Sequence, residues 1–363
     1  MVSRRIPHTP SVYSTEQIRQ YLARIRFPAA LDGDAEAPLP PPTMETLHML
    51  NLLHRISFNY ETSVMHYSAE HVLDITPEGI FRRLVAEKKG GSFCYGLNIL
   101  FMEVIRGLGY RTTYVGAEHE VPKFLVVAVS DTPHMCLLVQ LPDDEKDTHL
   151  LDLGFGGLGL IRPILMNEDE DNVVTGTTPT ELHRLRRISP PPHRSRSTSQ
   201  WWRLEVTHTD QQPSSWDSVL VFSETEHPMS SFVRSSDLQC TMLNGVRFWW
   251  EIIAIKYFLV SPTTLAEIPI SSSSTSIDPM HLDPAKAVYG RYTLSGNVVR
   301  RAIGRGGEVL KTLTTERERI EVLREVFDVK LRDEDERFIE GRAARLDSGY
   351  TPVYLTGLEF PAV

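Results

Sequence analysis

The sequence predicts an α+β protein in which helices come first, strands follow, and both are mixed in the last third. Apolar residues recur every three or four positions over about the first hundred residues, which indicates amphipathic helices. From Arg111 onwards, apolar and polar residues alternate in short runs separated by turn residues, which indicates strands. With 363 residues, 41 % of them hydrophobic and 23 % charged, the chain is long enough for two or three domains.

Four helices are predicted before residue 110, and three of them begin at a residue that can cap a helix. The capping residues are Ser14, in a capping box with Gln17, then Thr43, and then Thr76, which Pro77 follows at the first helical position. The fourth helix is predicted to begin around Cys94 and to end at Gly107 and Gly109.

The β-rich region contains six predicted strands. In chain order they are Thr112–Ala117, Phe124–Ser130, His134–Leu141, His149–Leu153, Trp201–Thr207 and Ser218–Ser223. In the last third, Arg291–Arg300 is predicted to be a strand, and Thr315 is predicted to cap an amphipathic helix. The serine run Ser271–Ser276 is predicted to be a loop.

Composition excludes several classes of protein. A net charge of −9 gives no electrostatic reason to expect a nucleic-acid partner. The most apolar stretch, residues 246–260, is interrupted by charges and shorter than the ~20 residues needed to span a bilayer, so no membrane partner is expected. The first residues carry a basic pair without an apolar stretch after it, so they are not expected to form a secretory signal. Three scattered cysteines are too few for a disulfide framework and suit a reducing compartment, so a cytoplasmic location is predicted.

Cys94 has the surroundings of a reactive thiol. It follows a glycine pair and an aromatic residue and is predicted to start a helix. Unsatisfied N–H groups and a partial positive charge at a helix N-terminus favour a thiolate, and glycines let the backbone turn so that an electrophile reaches the sulfur. A buried structural cysteine is the alternative interpretation. Cys136 and Cys240 lack such a setting and are predicted to be packing residues.

Two further residues could complete a cysteine triad. His134 begins an apolar strand directly after a turn, and Asp152 interrupts another apolar strand. A buried carboxylate is costly unless a donor meets it, and an imidazole on a neighbouring strand would be such a donor. Nucleophile, base and orienting carboxylate would then occur in the order Cys94, His134, Asp152. Each residue alone is a weak signal, and the three together are moderately specific.

The motifs around these residues resemble those of one enzyme family. The matching blocks are Gly90–Cys94 with Asn98, His134 with Leu137 and Leu138, and Leu151–Gly156. In the same order they resemble the nucleophile motif, the histidine strand and the Asp-x-Gly-Phe-Gly motif of the arylamine N-acetyltransferases, with the fungal branch most similar. The gaps of 40 residues from Cys94 to His134 and 18 residues from His134 to Asp152 suit that family. The resemblance extends over roughly residues 14–245 and 288–331.

The sequence departs from the family pattern at several positions. Lys89 stands where the family has arginine, and Ser92 either is an additional residue before the aromatic or replaces the second glycine. Gly96 replaces the usual Glu or Gln two residues after the cysteine. Residues 246–286 have no counterpart and are interpreted as either a lineage insertion or an incorrectly spliced segment.

The resemblance implies three domains around a papain-like Cys-His-Asp core. These would be a helical bundle over residues 1–110 that bears the nucleophile, a β-barrel over 111–225 that bears the histidine and aspartate, and an α/β lid over 226–363.

The resemblance also implies a two-step acyl transfer. Acetyl-CoA, malonyl-CoA or propionyl-CoA would acylate Cys94, and an arylamine, arylhydrazine or N-hydroxyarylamine would accept the acyl group, without a metal. Phe93, Phe155 and Gly156 would bind the substrate, and Gly157 and Gly159 would widen the acceptor pocket. A thiol hydrolase or transglutaminase-like enzyme with the same triad, or a catalytically impaired family member, remains an alternative.

Overall fold

The computed structural model describes residues 5–28, 38–120, 133–144, 146–157, 159–210, 215–241, 247–260, 283–304 and 306–349. The predicted strand Phe124–Ser130 and the serine run Ser271–Ser276 lie outside these residues. No helix among the described residues is long and apolar enough to cross a membrane.

The first region contains five helices and one short strand. They are α1 (Thr15–Arg24), α2 (Met44–Ser57), β1 (Tyr60–Glu61), α3 (Val64–Tyr67), α4 (Pro77–Phe81) and α5 (Cys94–Gly107). The predicted caps are confirmed: the hydroxyls of Ser14, Thr43 and Thr76 each accept a bond from a backbone N–H in the first turn. A π-helical turn, Arg82–Ala86, extends α4.

Eight antiparallel strands form the second region, in the order β5-β4-β3-β2-β9-β8-β7-β6. Their bounds are β2 Arg111–His119, β3 His134–Gln140, β4 Thr148–Leu151, β5 Ile164–Leu165, β6 Val173–Thr175, β7 Glu181–Ile188, β8 Trp201–His208 and β9 Asp217–Glu226. The edge strands β5 and β6 are consecutive in the chain, and Asn172, just before β6, donates to the carbonyl of Leu165 in β5. The sheet therefore curls into a nearly closed barrel.

The third region contains a five-stranded antiparallel sheet, in the order β1-β10-β11-β12-β13, and three helices. Their bounds are α6 Met229–Thr241, α7 Arg247–Trp250, β10 Ile253–Val260, β11 Val288–Ser295, β12 Val298–Ile303, β13 Gly306–Thr312 and α8 Glu316–Glu325. The single strand predicted over Arg291–Arg300 is wrong, because Gly296 adopts a φ of 59° and turns the chain into a hairpin.

Residues 246–286, which have no counterpart in the family pattern, contribute a strand to this sheet. Strand β10 lies within that segment and pairs with β1 on one side and with β11 on the other. Its residues alternate between the sheet faces, and Ala254 belongs to a hydrophobic core that this sheet shares with α8. This strand is therefore integral to the fold. Residues 261–282 lie outside the described residues.

Strand β3 connects two hydrophobic cores because both of its faces are buried. Met135 and Leu137 pack in the core shared with the helices, whereas Cys136 and Leu138 pack inside the curled sheet. A third core joins α8 to the five-stranded sheet. This position of β3 brings the helical region and the strand region together beside its first residue, His134.

Candidate active site

Cys94 is the first residue of α5, as predicted. Phe93 precedes it as the N-cap and supplies no side-chain bond to the helix, so polar backbone groups of the first turn are free of such a cap. The sulfur-bearing residue is buried, with 7 % of its surface exposed. The backbone reaches this position tightly, because a Cβ atom on Gly91 would lie 1.9 Å from the carbonyl oxygen of Asn59.

His134 and Asp152 form a short buried pair. His134 begins β3 and Asp152 follows β4, the neighbouring strand, so the sheet register brings them together. The distance from His134 Nε2 to Asp152 Oδ2 is 2.6 Å, and both side chains are at most 2 % exposed. The predicted contact between this imidazole and this carboxylate is therefore present.

The two groups stabilise each other's charged form. Burial opposes protonation of His134, but the carboxylate of Asp152 outweighs it and raises the pKa of His134 well above its usual value. Burial likewise opposes ionisation of Asp152, but the charge and hydrogen bond of His134, together with the N–H of Gly154, lower its pKa. An imidazolium–carboxylate pair results.

Asn98 contacts two of the predicted catalytic residues, Cys94 and Asp152, and the residue that follows the third, Met135. Its side-chain amide donates to the carbonyl oxygens of Cys94 and Met135, at 3.0 Å each, and to Asp152 Oδ1 at 3.4 Å. Its carbonyl oxygen accepts the N–H of Leu153 at 3.0 Å. One side chain thus ties the nucleophile helix, the histidine strand and the aspartate loop together.

Gly154 brings the aspartate loop directly against the nucleophile. A Cβ atom on Gly154 would lie 2.4 Å from the Cα atom of Cys94, a separation that real side chains do not show. Its N–H also donates to Asp152 Oδ1 at 2.9 Å. Residue 154 must therefore be glycine because its backbone lies against that of Cys94, and not because its φ is positive.

Two departures from the family pattern, Ser92 and Gly96, compensate each other in space: the larger residue at 92 fills the room left by the smaller one at 96. A Cβ atom on Gly96 would lie 2.1 Å from the hydroxyl of Ser92, so the serine occupies the space that a side chain at 96 would need. Arg83 donates to that hydroxyl at 3.2 Å. Lys89, by contrast, is exposed and pairs with Glu87 at 3.0 Å. An arginine from the preceding π-helical turn, rather than residue 89, supports the loop.

Cys136 lies closer to the triad than its prediction as a packing residue suggested. It is fully buried, as predicted, but its sulfur is 3.9 Å from Asp152 Oδ2. Burial raises the pKa of this thiol to about 12, so the S–H stays intact and points a weak donor at the carboxylate. Cys240 is buried too, and its sulfur accepts the N–H of Leu73.

A second histidine, which the sequence analysis missed, lies beside His134. The rings of His119, His134 and Phe155 form a triangle with centroid separations of 5.1, 5.2 and 5.4 Å. Burial, followed by the positive charge of His134, lowers the pKa of His119 to about 3, so this imidazole is neutral. The strand period could have indicated it, because Ala117 pairs with His134 and residue 119 shares that face.

The three residues predicted to bind the substrate differ in their burial and in their contacts. Phe155 is partly buried and contacts the His134 ring edge to face. Phe93 is fully buried and packs against Tyr95 and Phe248. Gly156 has a φ of 97°, and its carbonyl accepts the hydroxyl of Tyr257 at 2.6 Å.

The two glycines expected to widen the acceptor pocket differ as well. A Cβ atom on Gly159 would lie 2.3 Å from the Cβ of Phe155, so that space is already filled. A Cβ on Gly157 would meet only the guanidinium of Arg291, at 3.8–3.9 Å. Only the space at Gly157 agrees with the expectation.

Comparison with known proteins gives a consistent result. A statistical model described as N-acetyltransferase matches residues 43–251. The N-malonyltransferase FDB2 of Gibberella moniliformis is 22 % identical over 342 residues, which cover 89 % of this chain and 91 % of the relative.

Solved structures share the fold. The arylamine N-acetyltransferase from Mycobacterium abscessus superposes with a TM-score of 0.62 at 20 % identity, covering 89 % of this chain and 93 % of that one. The Mycobacterium marinum enzyme in complex with CoA gives a TM-score of 0.60 at 20 % identity, covering 89 % and 98 %. Together with the family match over more than half of the sequence, these findings place the chain in the arylamine N-acetyltransferase family, whose members are acyltransferases.

Proposed function

We propose that the chain transfers a short acyl group from an acyl-CoA thioester to an aromatic amine through an acyl-enzyme on Cys94. The observation that carries the proposal is the 2.6 Å pair of His134 and Asp152, tied by Asn98 to the first residue of a helix. In this assignment Cys94 is the nucleophile, His134 the base and acid, and Asp152 the carboxylate that orients the imidazole.

In the first half-reaction, His134, as an imidazolium, already holds the proton that Cys94 has given up, and the Cys94 sulfur attacks the thioester carbonyl. The tetrahedral intermediate collapses, the carbon–sulfur bond to CoA breaks, and His134 returns the proton to the leaving CoA sulfur. Backbone N–H groups at the start of α5 are suitable donors for the oxyanion. Free CoA and a neutral His134 beside an acylated Cys94 remain.

In the second half-reaction, the amine nitrogen attacks the acyl-enzyme. His134 accepts the proton that the nitrogen loses, the bond to sulfur breaks, and the amide leaves. Aromatic amines suit this step because their low basicity leaves the nitrogen unprotonated near neutral pH. The Phe155 ring against His134 would place an aromatic acceptor beside the base.

The similar proteins indicate two different acyl donors. The family points to acetyl-CoA, and the fungal relative's name points to malonyl-CoA. Propionyl-CoA is a third candidate. We propose a CoA thioester as donor, an arylamine, arylhydrazine or N-hydroxyarylamine as acceptor, and a cytoplasmic location.

The geometry of His134 and Asp152 fits proton transfer better than metal binding. Potential ligand atoms of His134, Cys136 and Asp152 lie within 4.8 Å of one another, as they would around an ion. However, two ligands at tetrahedral zinc, with bonds of about 2.0–2.1 Å, lie ~3.4 Å apart. The His134 and Asp152 atoms are only 2.6 Å apart, the distance of a shared proton. The proposal therefore assigns this group to acid–base chemistry.

The test combines each acyl-CoA with aniline and measures both amide and free CoA. We expect amide from at least one donor, and none from the Cys94→Ser variant, with Cys240→Ser as a matched control that retains transfer. CoA-independent cleavage of amides or peptides, lost in Cys94→Ser, would instead support a thiol hydrolase or transglutaminase-like enzyme. If iodoacetamide labels Cys94 no faster than a free thiol near neutral pH, the chain is an impaired family member.

A further inference from the structure

The C-terminal segment 332–349, here called the tail, is fixed to the fold by a buried ion pair. Arg319 and Glu316 of α8 form that pair, with Arg319 0 % exposed. Arg319 also donates to the carbonyl of Ala344 at 2.9 Å, and Glu316 accepts the N–H of Leu346 at 2.8 Å. Both contacts hold the backbone of the tail.

One tail residue, Arg342, connects to α7 through a histidine. Arg342 Nε donates to His66 Nδ1 at 3.3 Å, and His66 Nε2 lies 2.8 Å from the carbonyl oxygen of Phe248. An arginine can only donate, so Nδ1 must be the acceptor and Nε2 must carry the ring proton. The side chain of Arg342 therefore selects the His66 tautomer that carries its proton on Nε2. In that tautomer, His66 donates to the Phe248 carbonyl of α7.

A second contact strengthens this connection. The guanidinium of Arg342 lies over the ring of Trp249, 4.6 Å from its centroid. Burial, followed by the charge of Arg342, lowers the pKa of His66 well below its usual value, so the imidazole is neutral. Two successive residues of α7 are thus held by one arginine.

The end of this connection lies beside the nucleophile loop. The Phe248 ring is 6.0 Å from the ring of Phe93, which precedes Cys94, and 6.3 Å from the ring of Tyr60. Tyr60 forms a β-bridge with Ser92 of the same loop. Phe248 and Tyr60 are partly exposed, unlike Phe93, so an aromatic ligand can contact them.

We propose that Arg342 is a positioning residue which, through His66, holds Phe248 as an aromatic wall for the ring of the acceptor. The inference rests on the proposed function, because the acceptor is taken to be an aromatic amine. It assigns the tail a role in acceptor specificity rather than in the chemistry at Cys94.

The kinetic test compares Arg342→Met with Arg342→Lys and with Arg337→Met. Methionine keeps much of the side-chain stem but removes the donor, lysine keeps a donor, and Arg337 is an exposed tail arginine stacked on Phe338. In Arg342→Met, the KM for an arylamine should rise about fivefold, the loss expected from one hydrogen bond, while CoA release by acyl-CoA alone changes less than twofold. Arg342→Lys should recover part of the loss, and Arg337→Met should match the parent chain.

A second measurement needs no acyl transfer. Cys94 is alkylated by iodoacetamide and by N-phenyl-iodoacetamide, and the ratio of the two rates reports the aromatic wall. The parent chain should favour the phenyl reagent, and Arg342→Met should lose at least half of that preference. If the parent transfers no acyl group but this pattern holds, the proposed function fails and the wall remains.

Two results would overturn the inference itself. One is an equal response of Arg342→Met and Arg337→Met in both measurements. The other is a rise in the acceptor KM of Arg342→Met that is matched by an equal fold loss in CoA release and accompanied by a lower melting temperature. That result would show a structural role only.

Discussion

The two sides of the candidate site are built from different interactions. On the triad side, Asp152 accepts bonds from His134, Gly154 and Asn98, and its own carbonyl accepts a guanidinium N–H of Arg55 at 2.7 Å. On the proposed acceptor side, the rings of Phe155 and His119 pack against each other, and the Phe248 ring packs against Phe93 and Tyr60 while its backbone carbonyl is bonded to His66. The proposed triad is thus fixed by directional bonds to its own side chains, whereas the rings of the acceptor side are placed by packing, which tolerates change in substrate.

Removing the charge of the orienting carboxylate should have the largest effect. In Asp152→Asn, the charge of Asp152 no longer opposes the burial that lowers the pKa of His134, so the base loses its preferred tautomer and the main charge that favours its protonation. By analogy with other triads, we expect a loss of about 10³–10⁴-fold in kcat for amide formation. Cys94 alkylation near pH 7 should slow in parallel. A loss below tenfold would contradict the assigned role of Asp152.

The same variant should reveal the pH range over which the pair stabilises the fold. The pKa of Asp152 is lowered in the folded state, so its contribution is present above the ordinary value of 3.8 and is lost as pH falls through the folded value. The pKa of His134 is raised, so its contribution is present below 6.5 and is lost as pH rises through the folded value.

We therefore expect the free energy of unfolding of the parent chain to exceed that of Asp152→Asn by about 3–5 kcal/mol between those limits. The difference should shrink below pH 3.8 and again in the alkaline range. Chemical denaturation at a series of pH values measures it. A difference that does not vary with pH would show that the pair is not ionised.

A methyl group at Gly154 should disturb the triad without changing any of its side chains. Since the Cβ would lie 2.4 Å from Cys94 Cα, the nucleophile or the aspartate loop must move by about 1 Å, which typically costs about 10²-fold in rate. Gly157→Ala is the matched control, because its Cβ has room. Similar kcat values for the two variants would show that the close approach is unimportant.

The smallest effect should come from adding a side chain at Gly96, whose space is filled by Ser92. Gly96→Ala should destabilise the fold by about 1–3 kcal/mol through overpacking against Ser92, although alanine favours a helix. Adding Ser92→Gly should restore most of that stability. Thermal unfolding of both single variants and the double variant measures the coupling, and strictly additive effects would refute it.

The elements that carry Cys94, His134 and Asp152 were easier to predict from the sequence than the rest of the fold, because the relevant signals are local. Helix caps and the glycine pair before Cys94 act over a few residues, and the structure places them as predicted. Strand β7 was missed because its inward positions carry Glu181 and His183, which reverses the usual alternation. The β-strand inside residues 246–286 gave no family signal, and its partners lie far away in the sequence.

The remaining features that the sequence did not predict depend on contacts between residues in different elements. Arg83 supports the nucleophile loop in place of residue 89, and no spacing rule connects the π-helical turn to Ser92. His119 reaches His134 only through the register of β2 and β3. Such contacts depend on how elements pack, so a single sequence does not specify them in advance.

The two-residue strand β1 has a consequence for the order in which the molecule assembles. It pairs with Ile255 and Ala254 of β10 and also receives the nucleophile loop, since Glu61 donates its backbone N–H to the carbonyl of Ser92. During synthesis the loop therefore lacks one of its two supports until about 160 further residues have left the ribosome. Non-local closure of this kind is slow, so we expect the nascent Cys94 thiol to be open to oxidants for longer than the surrounding helices take to form.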